Sequence, residues 1–298
     1  MKEPLDYLRK AIPALAKLHK ELEKKEPEYV KHCRDVLQAA RKAVKFVMPP
    51  NGQIFDSELA GLPDVVKLPY SSIVVEYECP NPGGMASSVF GVDKTEPARK
   101  RIVYAEQVEN NIYVASIVAF QSYGVDHWQV QPYISIMVPK ADVPDDSVVD
   151  DMPELSGKKL VDQVRVQFID IGGVAEKRFG KDWERHAYVD MVDEEGVVLS
   201  LIEALTCRNV SLEALPVKKN KGAQMRGALP YDEYHTLVVN ARSRSSGSGE
   251  DQGTHRSPRE HLRRGHIRRL PTGNVWVNST IVNPGNHGKV YKSYEVAA

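Results

Sequence analysis

Four stretches of the chain dominate what it can fold into: SSIVVEYE (71–78), RKRIVYAEQ (99–107), NIYVASIVAF (111–120) and HWQVQPYISIMV (127–138). Each is rich in β-branched and aromatic residues, and the last three follow one another closely. CPNPGG, from Cys79 to Gly84, supplies the proline, asparagine and glycine of a turn after the first. The pattern predicts an antiparallel meander with one buried face, in which the nearly all-apolar 111–120 stretch is central. Short helices would serve some of these windows as well. A chain of 298 residues can bury a large core without metal or disulfide staples, as one large domain or two modest ones.

Ahead of these strands the period changes from two to between three and four. Leu5, Leu8, Ile12, Leu15, Leu18 and Leu22 predict a helix over 4–24, kinked or split at Pro13. Pro27 suits the first turn of a second helix, running to about Val47 and ended by Pro49 and Pro50. Residues 1–50 thus read as a helical hairpin or arm, and a homodimer through these helices is one partner reading, although the heptad is poor. Further on, VRVQFI (164–169) and YHTLVV (234–239) read as strands. VDEEGVVLSLIEALTC (192–207) reads as a helix capped near Asp193, with Leu199, Ile202 and Leu205 on its apolar face. Residues 141–159 form an acidic loop and 243–257 a flexible one, Ser/Gly-rich over 243–253. The expected fold is α+β: an N-terminal helical hairpin, a mostly antiparallel sheet with one or two helices, and a C-terminal basic β-hairpin. Residues 51–298 would make up the α+β domain.

The three cysteines, Cys33, Cys79 and Cys207, are isolated and form no CxxC pair, which predicts reduced thiols and a cytosolic setting. No apolar run reaches the length of a membrane span, and the charged MKEPLDYLRK start is not a signal peptide. The expected protein is cytoplasmic, with no membrane partner. No metal or cofactor is expected: HExxH, EF-hand and Walker motifs are missing, and acids before a helix account for Asp190, Asp193 and Glu194. Ser87 and Ser88 lie in no GxSxG context, so a serine hydrolase has no anchor.

Charge is balanced overall, with 40 basic and 40 acidic residues, but not locally. HRSPREHLRRGHIRR (255–269) holds six arginines and three histidines against one acid, Glu260. Residues 234–298 carry a net +6, leaving −6 for the rest. Guanidinium groups at this density suit phosphates and carboxylates. Alternation from His261 to Leu270, the PTGN turn (271–274) and VWVNSTIV (275–282) predict a basic hairpin. A helix capped at Ser257, with Pro258 and Glu260 in its first turn, is the competing reading. Trp276 is expected in the core.

Arg256, Arg259, Arg263, Arg264, Gly265, Arg268 and Arg269 are the candidate nucleic-acid-binding residues. Lys219 and Arg226 in a second basic patch would extend the same phosphate track. His266, His255 and His235 with Arg264 are candidate catalytic groups for metal-independent RNA cleavage, one base, one acid and a cation. The plainer alternative pairs these arginines with the protein's own acids.

The segment SPREHLRRGHIRRLPTGNVWVNSTIVN resembles the tail of uncharacterised proteins of tailed bacteriophages and prophages. Arg264, Gly265, His266, Arg268, Gly273, Trp276 and Val277 carry the likeness. LIEALTCRNV (201–210), KNKGAQMRGALPYDEYHTLVV (219–239) and LPYSSIVVEYE (68–78) look similar as well. The resemblance implies a phage-encoded product in a bacterial host cytoplasm. It favours a protein that binds RNA, DNA or host nucleic-acid machinery, or a host protein, through the basic hairpin. A virion or structural protein and a metal-independent nuclease are the alternatives.

Overall fold

The computed structural model describes residues 4–54, 66–80, 98–122, 124–139, 164–217, 229–239, 261–263, 266–277 and 280–282. The strand-rich middle is one mixed sheet of nine strands: β1 (Val44–Val47), β2 (Ser72–Glu78), β3 (Lys100–Val108), β4 (Asn111–Ser122), β5 (Val125–Val130), β6 (Tyr133–Pro139), β7 (Val164–Asp170), β8 (Val210–Ala214) and β9 (Tyr234–Val239). Its order is β7-β6-β4-β3-β2-β1-β9-β8, with β5 also paired to β4. The meander is present, and β4 is central to it. β1 is the exception to antiparallel pairing, lying parallel to both β2 and β9.

Alternation along the strands sends residues to two different layers. Val74, Ile102, Tyr104, Ile117, Trp128 and Val130 pack under α1 (Tyr7–Leu22) and α2 (Pro27–Lys42), against Leu8, Leu15, Cys33 and Leu37. Ile73, Val75, Tyr77, Val103, Val114 and Met137 face the opposite way. They pack on α4 (Trp183–Thr206), which follows the short α3 (Val174–Phe179), through Met191, Val198 and Leu201. The result is a helix–sheet–helix sandwich followed by the C-terminal hairpin. The apolar stripe of the N-terminal hairpin lies on the sheet. No helix among the described residues is long and apolar enough to cross a membrane.

Four local expectations are corrected. The second helix stops at Lys42, because Phe46 and Val47 are buried, and Val44 half-buried, as a strand between β2 and β9. Pro13 does not split α1, since it lies on the exposed side, where the carbonyl it leaves unbonded can meet water. The 127–138 stretch is two strands, β5 and β6, which pair with different parts of the long β4 and are separated by Gln131 and Pro132. The helix expected from residue 192 begins at Trp183, so Asp193 is interior to it and caps nothing. The loops 141–159 and 243–257 lie outside the described residues.

Candidate functional site

The C-terminal basic segment forms an antiparallel hairpin in two short ladders. β10 (His261–Arg263) pairs with β13 (Thr280–Val282), and β11 (His266–Arg268) with β12 (Val275–Val277). Ile267 opposes Trp276, and Arg268 opposes Val275. The turn closes with the Gly273 N–H donating to the Leu270 carbonyl at 2.9 Å. Gly273 has φ +114°, a backbone conformation that favours glycine, and a side chain there would also press on the Arg208 Cδ at 2.9 Å.

A seat at the C-terminal end of α4 holds this hairpin. Asn209 supplies the closest fit: the Trp276 N–H donates to its Oδ1 at 2.7 Å, and its Nδ2 donates to the Trp276 carbonyl at 2.6 Å. One side-chain amide thereby satisfies both backbone groups of Trp276. The Arg208 N–H donates to the Asn274 carbonyl at 2.9 Å, and its Nη1 to the Thr272 carbonyl at 2.8 Å. Asn274 Nδ2 donates to Thr206 Oγ1 at 3.1 Å. Arg269 Nη2 bonds Glu203 Oε1 at 2.9 Å, and Glu203 is buried. A guanidinium at the last turn of α4 also meets the negative end of the helix dipole. Burial pushes the Cys207 thiol up to about 11, so it is not a thiolate nucleophile at neutral pH.

Asn209→Ala removes both bonds to Trp276 and leaves its N–H without an acceptor. The Trp276 amide is expected to exchange about tenfold faster, with little change in the global melting temperature. Hydrogen exchange read residue by residue tests this; an unchanged Trp276 rate would show that Asn209 does not hold the strand.

The predicted site residues fare unevenly. Arg269 is tied to Glu203, as the plainer reading of the arginines has it. Arg268 is exposed. His235 lies on β9 in the main sheet, its Nε2 3.9 Å from Glu233 and its ring 6.0 Å from Phe46, and it is half-buried there. Arg263 and His266 lie on β10 and β11. His255, Arg256, Arg259, Arg264, Gly265, Lys219 and Arg226 lie outside the described residues. Trp276 is only half-buried. Among the described residues no group of three or more His, Cys, Asp or Glu is placed to hold a metal ion.

The seat residues Glu203, Thr206, Arg208 and Asn209 all lie in LIEALTCRNV (201–210), a segment that the sequence marks by its resemblance but to which it assigns no role. A second polar cluster lies under α4, and it corrects the reading of Asp190, Asp193 and Glu194 as acids before a helix: all three are inside α4, and Asp190 and Glu194 bond groups on the sheet. There Arg101 pairs with Glu194, Ser116 Oγ donates to Glu194 at 3.1 Å, Ser135 bonds Glu195 and Tyr133 bonds Asp190. Its signal was the pair Glu194–Glu195 inside an apolar helix.

Residues 207–284 match the family model AcrVA2-like, the anti-CRISPR type V subtype A2 family. The match covers roughly a quarter of the chain, beginning at the seat and running through β8, β9 and the hairpin. No curated protein and no solved structure matches the chain. The family match corrects the resemblance stated for the tail: the similarity is to an anti-CRISPR family and not to an uncharacterised tailed-phage family. It also overturns the functions read from the basic hairpin. Nucleic-acid binding through the arginines, a virion role and histidine-based nuclease chemistry all conflict with that similarity.

Proposed function

We propose that this chain inhibits a type V CRISPR system by binding one of that system's proteins. The observation that carries the reading is the match of residues 207–284 to the anti-CRISPR type V subtype A2 family. The fold is in keeping with it. A protein inhibitor needs a rigidly presented surface rather than reacting groups, and the hairpin is pinned by six hydrogen bonds, two to the last turn of α4 and four to Arg208 and Asn209 just after it. The partner is a host protein met in the bacterial cytoplasm, and the gene is carried by a phage or prophage. Self-association through the N-terminal helices would have to use their charged outer faces, because Leu8, Leu15, Cys33 and Leu37 lie against the sheet.

The test is phage interference in a bacterium with an active type V system. Expression of the chain is expected to restore plaquing of a targeted phage by several orders of magnitude, and the tagged chain should co-purify with a CRISPR protein after nuclease treatment. Full immunity in its presence would refute the reading. Restored plaquing with a complex that nuclease dissolves would refute the protein-binding mechanism.

A further inference from the structure

We propose that β7 is the seam of a homodimer, in which two copies of the chain join their sheets edge to edge. Among the described residues β7 ends the sheet and pairs with β6 on one side only. An open edge presents a row of N–H and C=O groups ready to bond another strand, and proteins normally blunt it with charge, proline, a bulge or short length. The other edges carry such protection. β8 has only five residues and exposes Ser211, Glu213 and Ala214. β5 carries Asp126 and His127 and is packed by α1, where Asp126 is bonded by Lys100.

β7 is less protected: it is seven residues long, VRVQFID, its register with β6 is unbroken from Val164 to Asp170, it contains no proline, and its two charges, Arg165 and Asp170, stand towards its ends. It also exposes apolar surface. Ile169 is 42% exposed, the half-buried Ile134 stands opposite it on β6, and α1 and α2 pack further along the sheet. On the other face Val166 and Phe168 are only partly covered by the α4 core.

An antiparallel strand can pair with its own copy, and here the pairing is chemically consistent. With the two-fold axis at Gln167, Val166 opposes the second copy's Phe168, Arg165 opposes Ile169, and each side chain keeps its face of the sheet. The partly covered Val166–Phe168 stripe becomes continuous across the seam. On the other face Ile169 of each copy, beside its own Ile134, lies against the aliphatic stem of the second copy's Arg165, with the two Gln167 residues between these pairs. No like charges oppose one another.

Sedimentation equilibrium on the full chain, over a range of micromolar concentrations, reads the outcome directly. The wild-type protein is expected to form a species of twice 33.3 kDa. Ile169→Lys places a lysine opposite Arg165 twice per dimer and should weaken association about tenfold. Ile169→Glu faces the same arginine with opposite charge and should weaken it clearly less. Val217→Lys, at an exposed valine away from β7, should leave it unchanged. Ile169 is exposed, so the variants should melt like the wild type, and this is checked by circular dichroism. A monomeric wild type, a dimer indifferent to Ile169→Lys, or equal losses from lysine and glutamate would each overturn the proposal. The phage-interference outcome is independent of it.

Discussion

Replacing Arg101 by methionine is expected to lower the unfolding free energy by about 3–5 kcal/mol, among the largest effects of any single substitution in this chain. The reason lies in the layer between β3, β4 and α4. Glu194 is fully enclosed, and the charge that balances it is the Arg101 guanidinium, assisted by the Ser116 hydroxyl. Burial drives the Glu194 carboxyl above the usual carboxylate range, while Arg101 pulls it back down. Without the arginine a carboxylate is left with one hydroxyl in an apolar core, so it must either stay ionised at high cost or take up a proton. The deficit of Arg101→Met should therefore grow between pH 5 and pH 8, since protonation relieves it at the acidic end. Arg101→Met combined with Glu194→Leu should be more stable than Arg101→Met alone, because no uncompensated charge remains. Urea midpoints at two pH values for the three variants decide it. A double variant no better than the single one would mean that the penalty is lost packing and not stranded charge.

This layer shows why the chain was only partly legible. The strands of the meander declared themselves, because β-branched and aromatic residues repeat across β2, β3 and β4 whatever the third dimension does. The hairpin was legible for the same reason, through the alternation of 261–270 and the returning VWV. Local pattern does not carry long-range partnership. Val44–Val47 looked like the end of a helix because nothing nearby says that β2 and β9 flank it as parallel neighbours. The first half of α4, WERHAYVDM, shows no simple apolar stripe, since part of its inward face carries carboxylates whose partners lie on the sheet, Asp190 on Tyr133 and, just beyond, Glu194 on Arg101. At the candidate site, six arginines in fifteen residues drew attention to charge. What places the hairpin is Asn209, an ordinary residue in sequence whose amide fits the backbone of a tryptophan 67 positions away. Arg269 illustrates the ambiguity of a charge cluster: it reads as free in sequence and is bonded to the buried Glu203 in the fold.

Glu76→Ala should destabilise the protein by about 4 kcal/mol, because one buried carboxylate ties three distant parts of the chain together. Glu76 is fully buried on the face of β2 under α1, where its Oε2 accepts the Tyr7 N–H at 3.0 Å and its Oε1 the Leu8 N–H at 2.8 Å. Tyr7 and Leu8 open α1, so the carboxylate caps a helix whose own N-cap, Asp6, makes no side-chain cap bond. The Tyr234 hydroxyl of β9 donates to the same Oε1 at 2.7 Å. Alanine would leave all three donors buried without an acceptor. The group also gives stability a dependence on pH whose sign is opposite to that of an exposed salt-bridged acid. Burial outweighs the three hydrogen bonds and pushes the carboxyl up to about 7 from an ordinary 4.5. Between those values the folded chain holds a proton that the unfolded chain has released. Its contribution is therefore complete below the unfolded value and declines as pH rises through about 7, by roughly 3 kcal/mol in all. Glu195, bonded by Ser135 and pushed up to about 8, adds a slope of the same sign that extends further. Melting temperatures taken from pH 5 to pH 9 should fall for the wild type and fall less for Glu76→Gln, which resembles the protonated acid. Glu76→Gln with Glu195→Gln should fall less again, the remaining slope coming from Glu194 and Asp190, which burial also raises. A wild-type stability that rises across this window would show that the bonds to Tyr7, Leu8 and Tyr234 keep Glu76 ionised, and that capping of α1 outweighs the desolvation of the charge.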